Sequence, residues 1–126
     1  MRDWPNFEAT LNEAQGVPVL RISGDVILAT VGRFRTALQE AVEAVERTEG
    51  SEHVLVVDMR ETEFMDSVGL SALLEGTREL RARGVEARLV LQRGSVRRIL
   101  QVTGFLEEFR VYGDVLSATE GPRGGA

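Results

Sequence analysis

The stretch Phe64-Met65-Asp66-Ser67-Val68-Gly69-Leu70 follows the apolar run Val54-Leu55-Val56-Val57 and opens a segment in which Leu70, Leu73, Leu74, Thr77 and Leu80 recur at helical spacing. A continuous run of strand-forming aliphatic residues ending in Asp58 predicts a central strand covered on both faces, and the periodicity beyond it predicts an amphipathic helix stopped near Gly84. Between them lies a loop. Asp66 is placed to cap the helix, and Ser67 falls in its first turn, beside unpaired backbone N–H groups and the positive end of the macrodipole. A phosphate on that hydroxyl would be tolerated electrostatically. Local physics is equally satisfied by an ordinary N-terminal helix residue, with Gly69 allowing close backbone packing.

Working outward, Phe7 to Asn12 and Val17 to Ser23 read as short strands separated by Glu13-Ala14-Gln15-Gly16, an opening hairpin. Thr30 can cap a helix whose apolar face is Phe34, Ala37, Leu38, Ala41, Val42 and Val45. Downstream, Ala87 to Leu91 predicts a strand, and Ser95 can cap a third helix that Gly104 ends. A short strand near Phe109 to Tyr112 and a last helix from Asp114 follow. Strand and helix alternate after the hairpin, and right-handed crossovers then give a mixed, mostly parallel sheet with about four helices packed against it. The fold class is α/β, one domain over residues 7–119, with 120–126 expected to be a disordered tail. Functional groups in such sheets gather where strand gives way to helix. Ser67 lies at one such junction and the segment Gly24 to Thr30 at another.

Composition removes many chemistries. The chain has 126 residues, 43% of them hydrophobic, enough for one real core, and no cysteine. Thiol catalysis, disulfides and cysteine metal sites are excluded. All 15 basic residues are Arg, so the phosphate-reaching lysine of a P-loop, a Schiff-base lysine and a Ser-Lys dyad are excluded too. His53 is the sole histidine, and a lone His at the start of a strand reads as structural. No run approaches the roughly 20 apolar residues of a membrane span, and the N-terminus lacks a signal-peptide core. A cytoplasmic, soluble protein is expected, without membrane insertion. The net charge of −5 opposes direct nucleic-acid binding.

That charge is uneven: seven arginines lie between Arg78 and Arg98 against Glu79 and Glu86, either a solvated helix face or a docking patch for an acidic partner. Asp58 superficially suits a phosphoacceptor at a strand end, but the missing lysine favours an aspartate satisfying local N–H groups. Glu61, Glu63 and Asp66 match no calcium loop, and the glycines form no G-x-G-x-x-G fingerprint, so neither metal nor cofactor is indicated. No activating base is available to Ser67. A phosphate there would have to be delivered by another protein.

The run Phe64 to Leu70 with Leu73-Leu74 resembles the signature of the STAS domain, specifically of bacterial anti-sigma factor antagonists. Leu20 to Val26 with Leu28-Ala29-Thr30, and Val96 to Leu100 with Thr103-Gly104-Phe105, are similar to the family's second strand and third helix, so nearly the whole chain is covered. The resemblance implies a partner switch rather than an enzyme. The unphosphorylated form would bind an anti-sigma factor that is also a serine kinase, freeing a sigma factor. Phosphorylation at Ser67 would break the complex, and a PP2C-type phosphatase would restore it. Asp66, Ser67, Val68, Gly69, Ile27 and Thr30 would form the partner-binding surface. Many members have Asp at the position of Ile27 and Ser or Thr at that of Val68; neither departure removes the acceptor hydroxyl. Two other readings are a STAS scaffold module in a larger stress-signalling or lipid-transport complex, and a small-ligand or nucleotide-binding domain.

Overall fold

The computed structural model describes residues 5–48 and 53–121. A hairpin of β1 (Phe7–Ala14) and β2 (Val17–Val26) is followed by α1 (Val31–Arg47), β3 (Val54–Met65), α2 (Ser67–Ala82) and β4 (Glu86–Val90). Next come α3 (Ser95–Thr103), a 3-10 turn (Phe105–Glu108), β5 (Arg110–Tyr112) and α4 (Val115–Glu120). Glu120 thus closes a helix, and the rest of the expected tail, 122–126, lies outside the described residues. The five strands lie in chain order β1-β2-β3-β4-β5, antiparallel only between β1 and β2. The expected mixed sheet is present with β3 at its centre. Gln15 and Gly16 join the hairpin with φ of 53° and 76°, the double positive φ of the tight turn whose twist suits two antiparallel strands.

The segment 59–65, expected as a loop, instead continues β3. Its buried residues Met59, Thr62 and Met65 fall every third position, which hides a strand from a search for period two. The cause is in the pairing with β2. Arg21↔Asp58 is followed by Ser23↔Glu61, and Gly24↔Thr62 by Asp25↔Phe64, so β3 carries one extra residue at each of two bulges. Each bulge stretches one two-residue step to three and keeps the same face buried.

Three helices cover one face of the sheet. Phe34, Leu38 and Val42 of α1, Leu70, Leu73 and Leu80 of α2, and Val96 and Leu100 of α3 pack on Leu20, Ile22, Leu55, Val57 and Leu89. Full burial of each large aliphatic side chain contributes roughly 1.5–3 kcal/mol. Among the described residues the opposite face is covered by α4, where Ala118 meets Val19, Val54, Val56 and Val90. Arg88, 1% exposed, fastens that helix. Its Nη1 donates to the Ala118 carbonyl at 2.8 Å and its Nη2 to Glu86 at 3.0 Å. A buried guanidinium therefore bridges sheet and helix where the strand pattern alone would place an aliphatic residue.

Capping departs from expectation at two helices. Thr30 occupies the N-cap of α1 without a side-chain cap bond, and α3 is capped by Gly94, with Ser95 its first residue. Ser95 Oγ donates instead to the Glu63 carbonyl, tying α3 to the extended part of β3. Gly104 ends α3 with a left-handed φ of 81°, and Asp114 caps α4.

Candidate functional site

The site is built at the end of β3. Asp66 is extended (φ −95°, ψ −176°), which turns its carboxylate over the first turn of α2. Oδ1 accepts from the Gly69 amide at 2.8 Å, satisfying one of the helix's open donors. Oδ2 accepts from the Leu28 amide at 3.1 Å, so the same carboxylate fastens the loop after β2. Ser67 is the first helical residue and its side chain is exposed, while Val68 is half-buried against the core. Gly69 permits the close approach of helix and strand: a Cβ there would lie 2.0 Å from the Val26 carbonyl oxygen. The serine is therefore presented on a rigid helix start, fixed on one side by a cap and on the other by a backbone contact that only glycine allows.

The loop from Ile27 to Thr30 forms the neighbouring wall. Thr30 Oγ1 donates to the Asp25 carbonyl at 2.6 Å and accepts from the Ile27 amide at 3.0 Å, which closes the loop on itself. Backbone bonds from the Thr30 and Val31 amides to the Ile27 carbonyl complete the turn. Ile27 and Thr30 are 7% and 3% exposed, so their side chains shape the loop instead of lining its surface. The side chain that the loop does present is Leu28, 72% exposed. Phe64, 50% exposed, lies two residues before Asp66. Neither stands out in the sequence, because an apolar residue inside an α/β pattern is assigned to the core unless its burial is known.

The acidic residues do not converge. Glu61 pairs with Arg21, and Asp66 is occupied by its two amides. Among the described residues no group of three acidic or histidine side chains could hold a metal. Asp58 accepts from the Arg60 amide at 3.1 Å and from its guanidinium at 3.0 and 2.9 Å, the local satisfaction expected of it. That hydrogen bond raises the Arg60 pKa above its ordinary value. Among the described residues no helix is long and apolar enough to cross a membrane.

The basic segment divides. Arg78 pairs with Glu108 at 2.9 Å, Arg83 with Glu46 at 2.6 Å, and Arg81 reaches the Glu108 carbonyl at 3.3 Å. With Arg88 buried, these four serve the fold. Arg93, Arg97 and Arg98, in and just before the first turn of α3, form no ion pair among the described residues.

A mixed five-stranded sheet with an exposed serine at the start of the helix after its central strand defines a small α/β domain. The STAS domain family model matches residues 8–118, and the chain belongs to that family. It is 33% identical over 120 residues to the anti-sigma-F factor antagonist RsfB of Mycobacterium tuberculosis, spanning 95% of this chain and 93% of the relative. It is 25% identical over 113 residues to an anti-sigma F factor antagonist of Paenibacillus polymyxa, spanning 90% and 92%. Among solved structures, an anti-sigma factor antagonist from Mycobacterium paratuberculosis superposes with a TM-score of 0.79 at 24% identity, over 94% of this chain and 96% of that one.

Proposed function

We propose that this chain is an anti-sigma factor antagonist controlled by phosphorylation of Ser67. The observation that carries the reading is an exposed serine hydroxyl held at the first residue of α2 by the Asp66 cap and the Gly69–Val26 contact. In the unphosphorylated form this end of the sheet docks on an anti-sigma factor and so releases a sigma factor. Asp66 and Gly69 hold the surface in shape, and Ser67 with half-buried Val68 meets the partner. Ile27 and Thr30 act through the loop they brace. The full-length relatives named as antagonists support the partner class.

The chemistry of the switch is electrostatic. A phosphate on Ser67 adds about −1.5 to −2 charge and three acceptor oxygens. It would sit beside the Asp66 carboxylate and bring water into a contact that the free hydroxyl leaves dry. The protein would act in the cytoplasm without catalysing a reaction; the anti-sigma factor acts as the serine kinase, and a PP2C-type phosphatase resets the serine. Incubation with the copurifying anti-sigma factor and Mg-ATP, followed by mass-spectrometric mapping, is expected to place one phosphate on Ser67 and none on Ser67→Ala. Phosphate absent from Ser67, or unchanged in Ser67→Ala, removes the switch.

A further inference from the structure

We propose that Arg93, Arg97 and Arg98, with exposed Phe64, form a second contact that docks an acidic segment of the protein partner. The partner's identity rests on the antagonist reading above; the surface itself does not. In a chain of net charge −5, three guanidinium groups within six residues make a locally positive site. The arginines of this segment fall into two groups. Arg78, Arg83 and Arg88 have carboxylate partners and Arg81 a carbonyl, whereas Arg93, Arg97 and Arg98 have no ion pair among the described residues. Arg93 and Arg98 are exposed and Arg97 half-buried.

Their place in the fold joins them to the Ser67 end. β3 continues past its last pairing with β4, Asp58↔Val90, as far as Met65, and α3 packs along this extension. The bond from Ser95 Oγ to the Glu63 carbonyl fixes the start of α3 beside Phe64, two residues short of the Asp66 cap. Half-exposed Phe64 follows that anchored carbonyl in β3, so the backbone at the start of α3 is tied to the strand that leads into Ser67. Of the acidic groups flanking Phe64, Glu61 is paired with Arg21 and the Asp66 carboxylate accepts from two backbone amides. Arginine beside an exposed aromatic is the composition of interface anchors, and a positive site meeting a negative one accelerates encounter more than it deepens affinity. An acidic protein segment is favoured over nucleic acid, because the rest of the surface is net negative.

The test compares Arg93→Glu/Arg98→Glu with Arg47→Glu/Arg81→Glu, which changes net charge equally at the far ends of α1 and α2. All four arginines are exposed, and unchanged circular dichroism will confirm folding. Stopped-flow association with the purified anti-sigma factor is expected to slow by about tenfold or more at about 50 mM salt for the first pair, with a flattened salt dependence, and by less than about twofold for the second. Equal slowing of both pairs overturns the proposal while leaving the antagonist reading intact. A second measurement needs no anti-sigma factor. The isotopically labelled full chain, titrated with a synthetic peptide of alternating Glu and Leu, is expected to shift amides of Phe64 and residues 93–98, and a Lys-for-Glu peptide is not. Shifts that are absent, scattered or the same with both peptides overturn it.

Discussion

The carboxylate of Asp66 accepts a hydrogen bond from the amide of Leu28, 38 positions earlier in the chain, at 3.1 Å. One residue thus caps α2 and locks the adjoining loop, so the serine and the exposed leucine beside it form one rigid surface. Asp66→Ala removes both acceptors and is expected to lower stability by about 1–2 kcal/mol. Hydrogen exchange should quicken at Leu28 and Gly69 together. Acceleration at Gly69 alone would mean that the loop is held by Thr30 without help from the cap.

Gly69→Ala tests the contact with Val26. The atom that a new methyl group meets is a backbone carbonyl, which cannot rotate away, so helix and strand must separate. A loss of about 1–3 kcal/mol is expected in urea unfolding, with the slope unchanged. Gly32 in α1 has open space, with nothing within 4 Å of the point where a methyl group would stand, and Gly32→Ala should stabilise by about 0.4–1 kcal/mol. Similar effects at the two sites would contradict the packing described for α2.

Much of this architecture is legible in the chain. Val54 to Val57, the apolar stripe from Leu70 to Leu80 and a hairpin turn within Glu13-Ala14-Gln15-Gly16 announce themselves through periodicity and turn chemistry, although β1 runs on to Ala14 and leaves only Gln15 and Gly16 in the turn. The second half of β3 does not, because its two bulges convert the strand period into three and surround Met59, Thr62 and Met65 with charge. Arg88 is equally hidden: Glu86 lies two residues away on the same strand, but only tertiary structure supplies the Ala118 carbonyl that completes its buried partners. At the site, Ser67 and its capping aspartate are legible. The exposure of Leu28 and Phe64 and the inward turn of the Thr30 hydroxyl are not, since nothing local dictates which side of a loop, or of a bulged strand, faces water.

Arg88→Ala should leave the Ala118 carbonyl without its donor and open a cavity between sheet and helix. A cost of about 2–4 kcal/mol is expected, with faster exchange confined to residues 115–120 at low denaturant. Arg88→Met restores volume without the donor and should recover part of the stability but not the protection at Ala118. Full recovery of both would assign Arg88 to packing alone.

Asp114 supplies the pH dependence of the same helix. Its hydrogen bond from the Ser117 amide, and then that from the Ser117 hydroxyl, lower its pKa from the ordinary value of 3.8. A lowered folded-state pKa means that the cap stabilises fully above the unfolded-state value and is lost as pH falls through the folded one. Protection of the α4 amides should therefore decline in acid below about pH 4. Asp114→Asn, which keeps an acceptor without titrating, should flatten that decline; an unaltered profile would place the acid sensitivity elsewhere.

The switch turns on what a phosphate does at Ser67. Calorimetric titration of the purified anti-sigma factor with the full chain, carrying either serine or phosphoserine at position 67, measures this directly. Binding at least about a hundredfold weaker, about 2.7 kcal/mol, is predicted for the phosphoserine form. Equal affinities for the two forms would contradict a phosphorylation-controlled antagonist.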